Sequence, residues 1–441
     1  MYTKTNESFF LIPFFNLLLE NEIQYCVLRN YKTLPNSLGG SDLDILVAKK
    51  DIQKFYKTLD KVLVKTQGKI IVKYGEFTPR ICIAGIVDSK PYGLQLDVHE
   101  GILPYKTNNM FPVDFLLSRV NKFNEISVAN DKDADLIAFL KEILNNGICK
   151  EKYFKNAKAT WSKNSLIYIE ALLPIYGDTF IKMLSATLKG DYNKNTISKL
   201  AHYGQSILKS GVSIKIKNLK SRVSRYYRFF KSPGFSIAVL GTDGAGKTTI
   251  INEISKPLNE AVHNALYYEH MRPNLIPNIA QLFGKEKSGE PTTNPHGAKP
   301  SGFLGSLIRL MYYSFDYIFG YWLKVYPVKV KKSSIWIFDR YYYDYLIDQK
   351  RARINLPIWI IKGVNIFIPK PDLILCLGAE PDKIHKRKPE LSLNEVTLQV
   401  EKLKSFCDSE NNAVWIDTGE SINLSVQQTL NTIINKMASR Y

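Results

Sequence analysis

A chain of 441 residues with 45% hydrophobic content can fill more than one core, so a disordered or fibrous protein is excluded and two or three globular domains are expected. Its net charge of +19 predicts attraction to anions without choosing among nucleotides, nucleic acid and an acidic membrane surface. Five scattered cysteines (Cys26, Cys82, Cys149, Cys376 and Cys407) show neither zinc spacing nor a disulfide framework, which points to a reducing cytoplasm.

Phe9–Leu19 is apolar but flanked by Glu7, Glu20 and Glu22, so Ser8–Leu19 reads as a helix with Pro13 inside it and not as a signal peptide. Gln24–Leu28, Leu43–Val47, Lys69–Lys73, Ile81–Ile86 and Leu94–Val98 read as strands, with Asp51–Val64 as a helix. Several strands follow one another directly, so residues 1–125 are expected to form an α/β domain with a mixed sheet. In Gly39-Gly40-Ser41-Asp42-Leu43-Asp44-Ile45, two aspartates lie two apart on a strand and share one face. Paired carboxylates of this kind can hold Mg²⁺ around a triphosphate, and Asp97 in Leu94-Gln95-Leu96-Asp97-Val98-His99 offers a third from another strand. Binding without turnover, and plain surface acids, are the alternatives. Asp131, Asp133 and Asp135 share the spacing, but there they read as a helix start favoured by the dipole.

Over roughly residues 20–105 the chain resembles the nucleotidyltransferase superfamily, with its polymerase-beta-like fold. The resemblance implies Asp42, Asp44 and Asp97 as metal ligands. Where that family has a Gly-Ser or Gly-Gly turn upstream of the paired aspartates, this chain has Leu28-Arg29-Asn30-Tyr31, and Arg29 would stand in for the backbone donors to phosphate.

Residues 126–211 read as a helical region, with Asp131–Asn145 and Leu166–Leu188 as candidate helices and no chemistry to assign. Residues 205–232 then hold eight basic residues and no acidic one. Val212, Ile216, Leu219, Val223, Tyr226, Tyr227 and Phe230 fall on one helical face, while Lys217, Lys220, Arg222, Arg225, Arg228 and Lys231 take the remainder. Val212–Lys231 is thus expected to be a basic amphipathic helix in a linker spanning 212–232. It suits a connector packed on a domain, or a peripheral contact with an anionic membrane. No recognition motif argues for nucleic acid. Ser232-Pro233-Gly234 marks the start of the last domain, 233–441.

From there strands alternate with helices. Ser236–Leu240, Ala265–His270, Ser334–Phe338, Leu373–Leu377 and Ala413–Ile416 predict a parallel five-stranded sheet with helices on both faces. Gly302–Leu323 is apolar, but Arg309 and Asp316 are expensive in lipid, so a long helix buried against the sheet is expected over a membrane span. Phe283–Gly302 reads as a mobile loop.

Between the first strand and its helix lies Gly241-Thr242-Asp243-Gly244-Ala245-Gly246-Lys247-Thr248-Thr249, the G-x-x-x-x-G-K-[ST] phosphate-binding pattern. Its glycines let backbone N–H groups cradle phosphate oxygens, Lys247 reaches the β/γ-phosphates and Thr248 ligates Mg²⁺. Asp243 works against a triphosphate and fits the acceptor side instead, unless it serves only the turn. Ser334–Phe338 ends in Asp339-Arg340-Tyr341, where a carboxylate can hold the Mg²⁺ shell or orient the acceptor and a guanidinium can clamp phosphate. An ion pair between them is the plainer use. Lys386-Arg387-Lys388 follows the fourth strand where a lid can close, unless it is a solvated face. Arg272, Arg351 and Arg353 can bind an anionic acceptor or lie solvated at the surface.

Residues 235–441 resemble the thymidylate kinase-like family of P-loop kinases, carried by the loop with its internal aspartate, by Asp339-Arg340-Tyr341, by Pro371–Leu377 as fourth strand and by Arg387 in the lid position. The resemblance implies ATP and Mg²⁺ as cofactors and transfer of the γ-phosphate to a nucleoside monophosphate, with Lys247, Asp339, Arg340 and Arg387 catalytic and Tyr341 on the acceptor side. An arginine that the family carries after an aspartate on the preceding helix is absent from Phe315-Asp316-Tyr317. A sugar, polyol or lipid-linked acceptor, as in surface-polysaccharide metabolism, therefore stays open, as does a nucleotide-dependent regulatory protein at the inner membrane surface. A homodimer is also left open.

Overall fold

The computed structural model describes residues 4–75, 78–209, 223, 226–279 and 301–441. Phe283–Gly302 (apart from Ser301 and Gly302) and Val212–Lys231 (apart from Val223 and 226–231) lie outside the described residues, and with them the expected loop and most of the basic helix. The chain forms two compact units. One comprises residues 1–68, 73–83 and 94–230, the other residues 69–72, 84–93 and 231–441.

The seven-stranded sheet of the amino-terminal half contains β1 (Tyr25–Val27), β2 (Leu43–Val47), β3 (Gly68–Tyr74), β4 (Arg80–Val87), β5 (Lys90–Glu100), β8 (Asn121–Phe123) and β9 (Ile126–Val128). Their order is β3-β4-β5-β2-β1-β9-β8, and β6 (Pro104–Tyr105) and β7 (Asn108–Asn109) form a separate pair. The sheet is mixed, as expected: β2 runs antiparallel to β1 and parallel to β5. The parallel register sets Asp44 directly beside Asp97. The helix Ile52–Lys65 buries Phe55, Leu59, Val62 and Leu63, one face at helical spacing.

Residues 126–211, expected as a separate helical region, are not separate. Strand β9 belongs to the sheet, and the helices Asp131–Asn146, Glu151–Lys189 and Lys194–Lys209 share one core with sheet residues Cys26 and Leu46. The middle stretch is broken at Asn164 and Gly177, whose backbones are not helical.

The carboxy-terminal half holds a five-stranded sheet in the order β11-β12-β10-β13-β14, from β10 (Phe235–Gly241), β11 (Leu266–His270), β12 (Ile335–Asp339), β13 (Leu373–Gly378) and β14 (Ala413–Asp417). All neighbouring pairs are parallel. The three inner strands are buried along their whole length and the two edge strands are not, so the most continuous apolar runs occupy the centre. Ala238 and Leu240 pack with Tyr317, Tyr321 and Leu403 on one face, and by strand alternation Ile237 and Val239 point to the other. Strand β10 leads toward β11 on one side while β13 leads toward β14 on the other. That puts the switch point between β10 and β13, at the carboxyl end of the strand that opens the phosphate-binding motif.

The apolar stretch after Gly302 is half buried rather than fully so. It runs as an α-helix Phe303–Phe315, a π-helical segment Asp316–Val325 and a helix Tyr326–Lys332. Ser306, Leu310, Ser314, Tyr317 and Tyr321 face inward, while Leu304, Ile308, Met311, Phe315 and Trp322 are exposed. No helix among the described residues is long and apolar enough to cross a membrane.

Candidate active site

The loop from Gly241 to Gly246 turns strand β10 into the helix Lys247–Ala261. Gly241 and Gly246 are required by geometry. A Cβ at Gly241 would stand 2.7 Å from the Leu377 carbonyl oxygen, and Gly246 enters the helix at φ +82°, in the left-handed region. The first turn of the helix leaves its N–H groups without intrahelical partners, facing the loop.

A cavity of about 700 Å³ opens here. Its lining includes Asp243, Gly244, Gly246, Lys247, Thr248 and Thr249 from the motif, Asp339 and Arg340 from the end of β12, and Arg351, Arg387 and Lys388. Ala245 and Thr242 are buried beneath, and the Thr242 hydroxyl has no hydrogen-bond partner. The Lys247 ammonium donates to the carbonyls of Gly241 and Thr242, both at 2.9 Å, and lies 3.9 Å from Asp243 Oδ1. Burial, and then the charge of Arg340, push its pKa down to about 7 against the pull of Asp243, Asp339 and Asp344. A buried ammonium so poorly compensated gains strongly from an arriving anion.

Arg340 is buried at φ +74° and donates to Asp344 at 3.0 Å and to Asp243 Oδ1 at 2.5 Å. Arg351 donates to the other oxygen of Asp243. Burial raises the Asp243 carboxyl, but Arg340, Arg351 and Lys247 outweigh it and hold it at about 2. Asp339 receives the Tyr268 hydroxyl at 3.1 Å on Oδ2, with His270 Nδ1 at 3.7 Å, while its buried Oδ1 has no hydrogen-bond partner. Burial raises its pKa too, and His270, Lys247 and Arg340 reverse the sign. Arg387 donates to the carbonyl of Thr418, another lining residue, at 2.9 Å.

Three residues expected on the acceptor side are not among those lining this cavity. Arg272 is 4% exposed and spent on Asp316, 2.7 Å away, with its guanidinium stacked over Tyr313. Tyr341 is buried in the core and donates its hydroxyl to the Pro369 carbonyl at 2.6 Å. Arg353 is exposed and outside the cavity lining. Conversely, sequence reasoning missed His270, Tyr268, Thr418, Ile422 and Ser425. His270 and Thr418 sit at or just past the ends of β11 and β14, where strand-end placement was a usable signal.

In the amino-terminal unit, one carboxylate oxygen each from Asp42, Asp44 and Asp97 lie within 4.8 Å of one another. Two arginines already touch them. Arg29 reaches Asp42 Oδ1 at 3.1 Å with Nη2 and pairs with Asp44 through Nε, and Arg80 lies 3.2 Å from Asp97. Burial raises the Asp97 pKa, Asp42 and Asp44 add to it, and Arg80 opposes. Burial also raises Asp44, but His99 and Arg29 overcome it and hold that carboxyl at about 2.

No protein-family model matches the chain. It is 28% identical to a probable thymidylate kinase of Pyrobaculum calidifontis over 151 residues, which is 34% of this chain and 67% of that protein. Among solved structures, it is similar to thymidylate kinase from Ehrlichia chaffeensis (14% identity, TM-score 0.32, 45% of this chain and 98% of that one). It is also similar to thymidylate kinase from Candida albicans (18% identity, TM-score 0.33, 46% and 93%).

Proposed function

We propose that residues 235–441 carry an ATP-dependent phosphotransferase of the nucleoside monophosphate kinase kind. The observation that supports this most is the convergence of the phosphate loop, Lys247, Asp339, Arg340 and Arg387 on one cavity. The 151-residue similarity to a probable thymidylate kinase supports the same class and makes a nucleoside monophosphate the first acceptor to test.

The residues present suit Mg·ATP. Thr248 and the unpartnered Oδ1 of Asp339 would hold the metal, which when bound supplies charge neutralisation on the transferred group. Lys247 meets the β/γ-phosphates with an ammonium that burial leaves short of counter-charge. Arg340, fixed by Asp243 and Asp344, presents a guanidinium that does not reorganise as charge moves. Both oxygens of Asp243 accept from arginines, which makes it a poor general base. A phosphate monoester acceptor needs none, because its attacking oxygen is already deprotonated near neutral pH. This favours a nucleoside monophosphate over a sugar or polyol hydroxyl. An acceptor screen with labelled ATP tests the reading. Lys247→Ala is expected to abolish phosphorylated product and Asp42→Ala to leave it intact; product surviving the first change would overturn it.

A second reading concerns the other unit: Asp42, Asp44 and Asp97 hold a divalent cation for a triphosphate, as in nucleotidyl transfer. Their convergence favours it, as does His99, which is 7% exposed and whose Nε2 lies 3.6 Å from Asp44 Oδ1 without a hydrogen bond.

A further inference from the structure

Resting on that second reading, we propose that Arg29 is an exchangeable counter-ion. It occupies the aspartates until a divalent cation displaces it, and the freed guanidinium then takes up a triphosphate oxygen. The argument begins with competition. Arg29 spans Asp42 Oδ1 and Asp44, two of the three groups whose oxygens converge, so a cation and this guanidinium compete for the same two carboxylates. Asp97 is differently placed, because its partner is Arg80 and its other oxygen accepts from Gln95 at 2.8 Å. Within the triad, then, Arg29 is the cation paired with both Asp42, just before β2, and Asp44 on it.

Its setting makes exchange cheap. The Arg29 side chain is 53% exposed, whereas Asp44 is 5% exposed, so the guanidinium can turn into water while the carboxylate stays in place. His99 stands beside Asp44. Its ring is more than nine-tenths buried, and its Nε2, 3.6 Å from Asp44 Oδ1, has no hydrogen-bond partner. The backbone then fixes where Arg29 can go. It lies between β1 and the short turn Tyr31–Thr33, just before Asn30 at φ +56°, and Asn30 donates to Ser41, next to Asp42, at 3.2 Å. A guanidinium released there stays beside the metal, where a polyphosphate chelating that metal would lie, and offers two parallel N–H donors.

The two halves of the proposal have opposite signs, which makes it testable. All measurements use the full chain carrying Lys247→Ala, so that the kinase cavity takes no polyphosphate. Free Mn²⁺ is followed by electron paramagnetic resonance, with and without inorganic tripolyphosphate. Arg29→Ala is expected to tighten Mn²⁺ binding about tenfold in the absence of polyphosphate and to weaken tripolyphosphate binding to the Mn²⁺-loaded protein by a similar factor. Arg29→Gln, which keeps the side-chain bulk, should do the same. If Asp44→Asn and Asp97→Asn both leave Mn²⁺ binding unchanged, the metal reading itself fails. If those variants abolish binding but Arg29→Ala leaves it equal or weaker, the metal reading stands and the counter-ion role of Arg29 is overturned.

Discussion

Lys247 is where the electrostatics of the kinase cavity are decided. Burial, with Arg340 adding to it, brings its pKa to about 7, so at pH 8 most of the free protein carries a neutral amine there. A bound polyphosphate reverses both causes, and the amine must take a proton to pair with it. Titration of Mg·ATP into the protein at pH 8, in two buffers of different ionisation enthalpy, should therefore report uptake of nearly one proton. Affinity should fall by up to about tenfold per pH unit above 7. Proton release, or a flat profile between pH 7 and 9, would contradict this account. The same residue sets a sign for stability. Its folded pKa of about 7 lies below the ordinary 10.5, so between those values the unfolded chain holds more protons, and Lys247's contribution to stability rises with pH across that window.

The π-helical segment Asp316–Val325 opens on a residue that organises the loop after β11. Asp316 is fully buried, pairs with Arg272 and accepts the backbone N–H groups of Asn274, Leu275 and Ile276 at 3.1, 2.8 and 3.2 Å. Asp316→Ala leaves a buried guanidinium and three amides without their acceptor. A loss of about 3–5 kcal/mol is expected in urea unfolding, and a smaller loss for Asp316→Asn, which keeps one acceptor oxygen. Equal stability of the Ala variant and wild type would remove Asp316 from this role. The pair also shows what a sequence hides. Arg272 follows a strand end, as an acceptor ligand should, and its partner 44 residues onward cannot be found from spacing. Tyr341 shows the same: it sits inside a three-residue motif, yet its ring lies in the core after β12. The strands and the phosphate loop were legible because apolar runs and glycine spacing are local signals. The edges of β1 and β5, and the short strands β6 to β9, carry too few residues of clear pattern to be read that way.

At the scale of the whole molecule, composition predicted more than one core and the chain has at least two. One is built around Leu140, Trp161 and Tyr168, the other around Leu240, Tyr317 and Phe338. Residues 1–125 and 126–211 were expected to part company, but a sheet strand lies beyond position 125 and its neighbouring helices fill the sheet's own core, which no composition shift announces. Each compact unit also contains its own candidate site: Asp42, Asp44 and Asp97 in one, the loop and Asp339 in the other. A ligand that binds only one folded unit stabilises that unit by mass action, by about 2.7 kcal/mol at a hundredfold excess over Kd. Differential scanning calorimetry of the full chain should then resolve two transitions. A non-hydrolysable Mg·ATP analogue raises one of them in wild type and loses that effect in Lys247→Ala. Mn²⁺ alone raises the other and loses its effect in Asp44→Asn. A single transition that moves as one body with either ligand would mean that the two cores melt together, and the assignment of one site to each unit would have to be abandoned.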